Sequence, residues 1–72
     1  MLSFVEAVKM MYPKGTRVRL LHMEDPQPIE PGTLGTVTYV DDIGTIHCDW
    51  DNGRTLGLVP SEDAFEVIKD GT

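Results

Sequence analysis

Residues 35–59 read GTVTYVDDIGTIHCDWDNGRTLGLV, which predicts three short strands joined by two tight turns. Residues 35–40 are rich in β-branched side chains, which favour strands, and residues 41–44 end on a glycine suited to a hairpin turn. Residues 45–50 alternate apolar with polar side chains, as a half-buried strand does. The tripeptide DNG that follows is a strong hairpin signal before the returning strand at 54–59. We therefore expect an antiparallel three-stranded meander at the centre of the fold.

Strands are also predicted on both sides of this meander. Residues 16–23 alternate apolar with polar side chains, although Leu21 interrupts the alternation and predicts a bulge near His22. Residues 64–68 form a last short strand, after a single helical turn at 60–63 that begins with proline. We expect nine side chains to face inward across the whole fold: Val18, Leu20, Val37, Ile46, Cys48, Leu56, Leu58, Phe65 and Val67. Alternation leaves open whether Trp50 lies in the interior or in a half-buried groove.

A short helix is predicted at residues 3–11. Ser3 and Glu6 have the spacing of a capping box, and Pro13 ends the helical pattern because proline has no backbone N–H to donate. The helix carries an apolar stripe at helical spacing, formed by Phe4, Val8, Met11 and Tyr12. A helix of this length is marginal in water, so the stripe is expected to pack on the rest of the domain or on a partner.

The order of elements predicts the fold class. After the helix come a strand, a long loop at 24–32 with three prolines, the meander, the helical turn and the last strand. Five short strands are best stabilised by curling into a small barrel. We therefore expect a mainly β fold: a small five-stranded SH3-like barrel preceded by one short N-terminal α-helix. The whole chain is predicted to be a single domain, with the helix at 1–12 and the barrel at 14–69.

Composition limits the possible functions. The chain has 72 residues, so a large internal active-site cavity is not expected. Six Lys and Arg against 12 Asp and Glu give a formal net charge of −6, which argues against binding to nucleic acid or to an anionic membrane. Residues 1–11 lack the pattern of a signal peptide, and no apolar run is long enough to span a membrane. With a single cysteine, the fold does not depend on a disulfide, and the predicted location is cytoplasmic.

Five segments of the sequence resemble a small bacterial and phage family, the domain-of-unknown-function family 4314. They are YPKGTRV at 12–18, GTLGTV at 32–37, VDDIG at 40–44, WDNG at 50–53 and FEVI at 65–68. The pattern G-x-x-G-x-V followed by W-D-N-G is also similar to other SH3-like modules, among them KOW-type ribosomal domains and the repeats of mind-bomb-type ubiquitin ligases. The resemblance implies a small barrel in a bacterial, phage or mobile-element setting. It implies no activity and no catalytic residues.

No catalytic, cofactor or metal site is predicted. The segment after Asp49 begins like a calcium loop, but the sixth position is Arg54 and the twelfth is Pro60, where glycine and glutamate are required. Neighbouring strand residues such as His47 and Cys48 point to opposite faces, so they cannot converge on zinc. The turn carboxylates are expected to form a solvated acidic rim: Asp41, Asp42, Asp49, Asp51, Glu62 and Asp63.

We therefore expect a small non-catalytic module that binds a partner through its surface residues. The loops at 24–32 and 51–54 are candidate contact regions; the P-x-x-P sequence at 28–31 is expected to belong to the fold's own long loop. Arg17 and Arg19 are expected to pair with Asp49 or another cross-strand acid; otherwise they form a small RNA- or protein-facing patch beside Tyr39 or His47. The candidate interaction residues are Phe4, Val8, Met11, Tyr12, Arg17, Arg19, Tyr39, His47 and Arg54.

Three functions stay open at this point. The first is protein–protein interaction through the barrel loops and the helix, with an unknown protein or a second copy as partner. The second is a nucleic-acid or ribosome accessory domain, which would use the arginines. The third is an accessory subunit of a larger enzyme.

Overall fold

The computed structural model of the chain describes residues 1–69 and contains one helix and five strands. They are α1 Phe4–Met11, β1 Arg17–His22, β2 Leu34–Val40, β3 Ile46–Trp50, β4 Thr55–Leu58 and β5 Ala64–Val67. All strand pairs are antiparallel and form one sheet in the order β4-β3-β2-β1-β5. The predicted class is confirmed: a compact, mainly β, barrel-like fold with one short N-terminal helix.

The bulge that the sequence predicts near His22 is present. The pairing of β1 with β5 changes register between Leu20 and His22, because Leu21 lies between the two paired positions and leaves the alternation. A second register change, which the sequence did not indicate, lies between Val37 and Tyr39 in the pairing of β2 with β3.

One face of the sheet forms the core. Six of the nine predicted core residues are buried: Val18, Leu20, Val37, Ile46, Cys48 and Leu58. Leu56 and Phe65 pack against this core and are partly buried. The prediction for Val67 is wrong, since its side chain is 40% exposed. Val67 ends the edge strand β5, which pairs only with β1, so no neighbouring strand covers it.

Helix α1 begins as the sequence predicts, and part of its apolar stripe packs against the rest of the domain. The Ser3 side chain accepts a hydrogen bond from the Glu6 N–H, and the reciprocal bond of the capping box is present. Val8 is buried, and the Tyr12 ring lies edge-on against Phe65 with centroids 5.2 Å apart. Phe4 keeps 61% of its side chain exposed. The stripe therefore packs on the domain's own core through Val8 and Tyr12 and leaves Phe4 and Met11 exposed.

The long loop between β1 and β2 supplies a core residue that alternation could not identify. Ile29 is fully buried, although it lies among three prolines. Arg54 holds the loop in place by donating hydrogen bonds to the carbonyl oxygens of Pro28 at 3.1 Å and Gln27 at 2.8 Å. The loop then rejoins the sheet where the Gly32 N–H donates to the Leu20 carbonyl at 2.7 Å.

Trp50 lies in the interior, which decides the alternative that the sequence left open. Its side chain is 3% exposed, and its indole N–H donates a hydrogen bond to the Leu56 carbonyl at 3.0 Å. The ring lies directly on Gly35, where a β-carbon would approach the indole to 2.6 Å. A glycine is needed at this point of β2 because the indole occupies the space of a side chain.

A buried carboxylate connects the two ends of the sheet. The described strands include no ladder between β4 and β5, so the barrel-like body is not closed by backbone pairing. Instead, one oxygen of Asp63 accepts a hydrogen bond from the Glu24 N–H and the other accepts one from the Val59 N–H, each at 2.8 Å. Glu24 follows β1 and Val59 follows β4, so Asp63 joins segments from opposite parts of the sheet.

We expect Asp63→Ala to lower the free energy of unfolding by about 3 kcal/mol, because it leaves two partly buried N–H groups without their charged acceptor. Asp63→Asn should cost less, since its amide oxygen can still accept one of the two bonds. Urea denaturation measures both, with Glu62→Ala as the control because Glu62 is exposed. A loss for Asp63→Ala no larger than that of the control would show that the carboxylate does not stabilise the fold.

Candidate functional site

The outer face of the sheet, opposite the core, carries a groove of about 440 Å³. It crosses β2, β3 and β4 where alternate residues point away from the core. Its lining residues are Thr38, Tyr39, His47, Cys48, Asp49, Thr55, Leu56 and Gly57. We call this feature the outer groove.

Two aromatic rings form one side of the outer groove. The Tyr39 and His47 rings are stacked with centroids 4.3 Å apart and an angle of 3° between their planes. The imidazole is fixed in turn by Asp41, whose carboxylate lies 2.8 Å from the His47 Nε2 atom. This hydrogen bond from His47 lowers the pKa of Asp41, and backbone N–H groups of Thr45 and Ile43 act in the same direction. The Tyr39 ring is thus held in one orientation while 55% of its side chain stays exposed.

The other lining residues include one acidic group, Asp49. Asp49 lies two residues from His47 on the same face of β3, opposite Thr55 of β4. Its carboxylate takes part in no side-chain hydrogen bond or ion pair with residues 1–69. Gly57 lies opposite His47, and the Thr45 methyl group occupies the space beside it, where a β-carbon would approach that methyl to 2.5 Å. The arrangement brings an aromatic pair and a carboxylate to one face of the sheet.

The three arginines of the predicted basic patch are engaged within the domain. Arg17 binds both carboxylate oxygens of Asp51, at 2.9 and 2.7 Å, and this pairing lowers the pKa of Asp51. Arg19 pairs with Glu66 at 2.9 Å. The expected cross-strand pairing is present, although the acids are not Asp49. The structure therefore does not bring the arginines together as one basic surface beside Tyr39 and His47.

A second exposed feature is apolar and lies at the helix. Phe4, Met11 and Ile43 keep 61%, 64% and 80% of their side chains exposed. The Phe4 ring lies against Gly44, the residue after Ile43 in the turn between β2 and β3. We call these three residues the helix–turn surface. The sequence analysis selected Phe4 and Met11 but missed Ile43. The signal that could have identified Ile43 is a large apolar residue in a turn otherwise made of aspartates and glycine.

The turn carboxylates are not the uniform solvated rim that the sequence predicts. Asp63 is buried and structural, Asp51 pairs with Arg17, and Asp42 lies 3.6 Å from Lys9. These acids lie in three different connections between strands, and each has its own partner. No group of three His, Cys, Asp or Glu side chains within residues 1–69 is placed to hold a metal ion.

Cys48 is a core residue with an unreactive thiol. Burial in the apolar interior raises its pKa to about 12, with a smaller contribution from the charge of Asp49. At neutral pH about one thiol in 100,000 is then ionised, and the thiolate is the nucleophilic form. The geometry therefore gives Cys48 no role as a nucleophile.

The chain belongs to the family described as Domain of unknown function (DUF4314), whose profile matches residues 1–68. No curated protein and no solved structure matches the chain. Within the described residues, no helix is long and apolar enough to cross a membrane. The family adds no activity, so function has to be inferred from the two surfaces described above.

We expect Cys48 to react with a thiol reagent such as Ellman's reagent only when the domain opens, because its thiol is both buried and protonated. The reaction in native buffer should be slow and should become immediate in concentrated guanidinium chloride. Cys48→Ser supplies the background rate. A rapid stoichiometric reaction of the native protein would contradict the burial of this thiol.

Proposed function

We propose that this member of the DUF4314 family is a small non-catalytic module that binds a partner protein, and that it acts in the cytoplasm. The observation that supports this proposal best is the helix–turn surface. Phe4, Met11 and Ile43 are large apolar side chains left in water on a domain that had few such side chains to bury. Phe4 contacts the turn beside Ile43, and Met11 follows seven residues later on the same side of the helix. Exposed apolar groups of this kind are typical of protein contact sites, and methionine adapts easily to a partner's shape.

The charges of the domain favour protein over nucleic acid as the partner. The net charge is −6, and Arg17 and Arg19 already form ion pairs with Asp51 and Glu66. A phosphate backbone would meet repulsion from the acids that surround these arginines. We accordingly rank the accessory domain for nucleic acid or ribosomes below the protein-binding module. An accessory subunit of a larger enzyme is a special case of the module, distinguished by the identity of the captured protein.

We expect Ile43→Asp and Phe4→Asp to abolish capture of the partner while leaving the fold intact, because both side chains are largely exposed. The tagged protein is incubated with lysate of the source organism, and bound proteins are identified by mass spectrometry. Leu21→Asp is the matched control, since Leu21 is also exposed but lies at the opposite end of the sheet. Thermal melting establishes that all three variants fold.

The proposal requires a protein that the wild type and Leu21→Asp retain and that both helix–turn variants lose. Capture that is equal for all variants would contradict the helix–turn surface as the site. Sedimentation of the purified protein tests whether the surface binds a second copy instead of a different protein. A mass of two chains in the wild type that falls to one chain in Ile43→Asp would show this.

A further inference from the structure

The turn between β2 and β3 carries Ile43, the most exposed residue of the helix–turn surface. Since 80% of the Ile43 side chain is exposed, packing of that side chain contributes little to holding it in place. Its position therefore depends on the backbone of the turn. Four hydrogen bonds within this turn involve a single residue, Asp41.

Asp41 organises the turn through both its backbone and its side chain. Its N–H donates to the Thr45 carbonyl at 3.0 Å, and its carbonyl accepts a bond from the Gly44 N–H at 3.1 Å. One carboxylate oxygen, Oδ1, accepts bonds from the Ile43 N–H at 3.1 Å and from the Thr45 N–H at 2.9 Å. Aspartate favours turns because its side chain can bond the backbone two residues further on. The backbone of Ile43 is thus tied directly to this carboxylate.

The carboxylate is oriented in turn from the sheet. Its other oxygen, Oδ2, lies 2.8 Å from the His47 Nε2 atom, and the imidazole is stacked on the Tyr39 ring. The Thr38 hydroxyl donates to the His47 carbonyl at 3.0 Å, which holds β2 and β3 together at this point. The hydrogen bond from His47 lowers the pKa of Asp41, so the carboxylate is ionised at neutral pH. Its two oxygens have different partners, and these partners fix its orientation.

The same turn supports the helix side of the surface. The Phe4 ring lies against Gly44, where a β-carbon would approach the ring to 2.7 Å. Gly44 has a φ of +88°, a conformation that favours glycine. A turn of another shape would move Gly44 away from the ring and would carry Ile43 with it. The position of Ile43 relative to Phe4 therefore depends on the turn conformation to which Asp41 is bonded.

We propose that Asp41 is the positioning residue of the helix–turn surface, holding the turn in the conformation that places Ile43 beside Phe4 for a partner. Asp41 acts through the backbone of the turn, and His47 orients its carboxylate. A partner then meets a turn that is already ordered, and preorganisation of this kind strengthens binding because less entropy is lost on association. The inference rests on the proposed function, since that function gives Ile43 its role in binding.

The first measurement follows the shape of the turn without a partner. In the NMR spectrum of the full chain the Phe4 ring should displace the α-proton signals of Gly44, and Phe4→Leu supplies their undisplaced position. We expect Asp41→Ala to shift these signals toward that position. Amide exchange at Ile43 and Thr45 should become about tenfold faster, because both N–H groups lose a charged acceptor. Asp41→Asn should preserve the signals and the protection, since one amide oxygen can accept both bonds that Oδ1 accepts.

The second measurement determines affinity for the purified protein that the wild type captures from the lysate. We expect Asp41→Ala to weaken this affinity about tenfold, which corresponds to ordering roughly one backbone residue on binding. Asp41→Asn should bind nearly as the wild type does.

Asp42→Ala is the matched control for both measurements. It removes the same charge from the next residue of the same turn, where Asp42 is fully exposed and lies 3.6 Å from Lys9. An exposed ion pair of this kind contributes little to stability, so this variant should keep both the turn and the affinity. Thermal melting establishes that the variants fold. If Asp41→Ala does not fold, Asp41→Glu replaces it, because glutamate keeps the charge but moves the oxygens by one carbon.

Three results would overturn the proposal. The first is a turn whose Gly44 signals and amide protection are unchanged in Asp41→Ala. The second is an affinity of Asp41→Ala equal to that of Asp42→Ala although the turn has changed. The third is an Asp41→Asn variant that behaves like Asp41→Ala. Undiminished binding of the captured protein to Ile43→Asp would instead contradict the proposed function, and the spectra would still decide whether Asp41 shapes the turn.

Discussion

The inner face of the sheet is covered by side chains from parts of the chain that are far apart in sequence. Val8 comes from the helix and Ile29 from the proline-containing loop, and both are buried against strand residues. A chain of 72 residues has few apolar side chains to spare, so the loop and the helix have to complete the core. The carboxylate of Asp63 holds the ends of β1 and β4 around it.

This requirement does not involve the outward-facing side chains of β3, which alternate with the buried ones. The inner face is occupied by packed apolar side chains, among them Cys48. The groups that can meet a ligand are those that alternation directs outward, such as His47, Asp49 and Gly57. The sheet thus has one face that forms the core and one face whose side chains lie at the surface. The helix–turn surface is a separate exposed apolar feature, on the helix and on the turn between β2 and β3.

Periodicity predicted most of the fold because it reports on regular elements. The capping box at Ser3, the bulge near His22 and the alternation of β3 all follow from local spacing. Ile29 could not be found in this way, since a loop residue enters a core through tertiary packing and has no period. The prediction for Val67 was wrong for a related reason: its alternation is correct, but among residues 1–69 no strand lies beyond β5 to cover it.

The candidate site was predicted only in part. Tyr39 and His47 were singled out, and the structure brings them together through a register change in β2 that no local pattern signals. Arg17 and Arg19 were expected to pair with Asp49 or another cross-strand acid, and the structure pairs Arg17 with Asp51 and Arg19 with Glu66. Competition between neighbouring acids for one arginine depends on distances between strands and turns, which sequence spacing does not give.

We expect the long loop and the Asp63 connection to form one cooperative unit with the sheet. Native-state amide hydrogen exchange tests it directly at three N–H groups: Glu24 and Val59, which donate to Asp63, and Gly32, which donates to Leu20. If the account is right, these amides exchange with the same opening free energy as Val37 in β2, through global unfolding. Exchange at the rates of an unprotected peptide, with Val37 still protected, would contradict it.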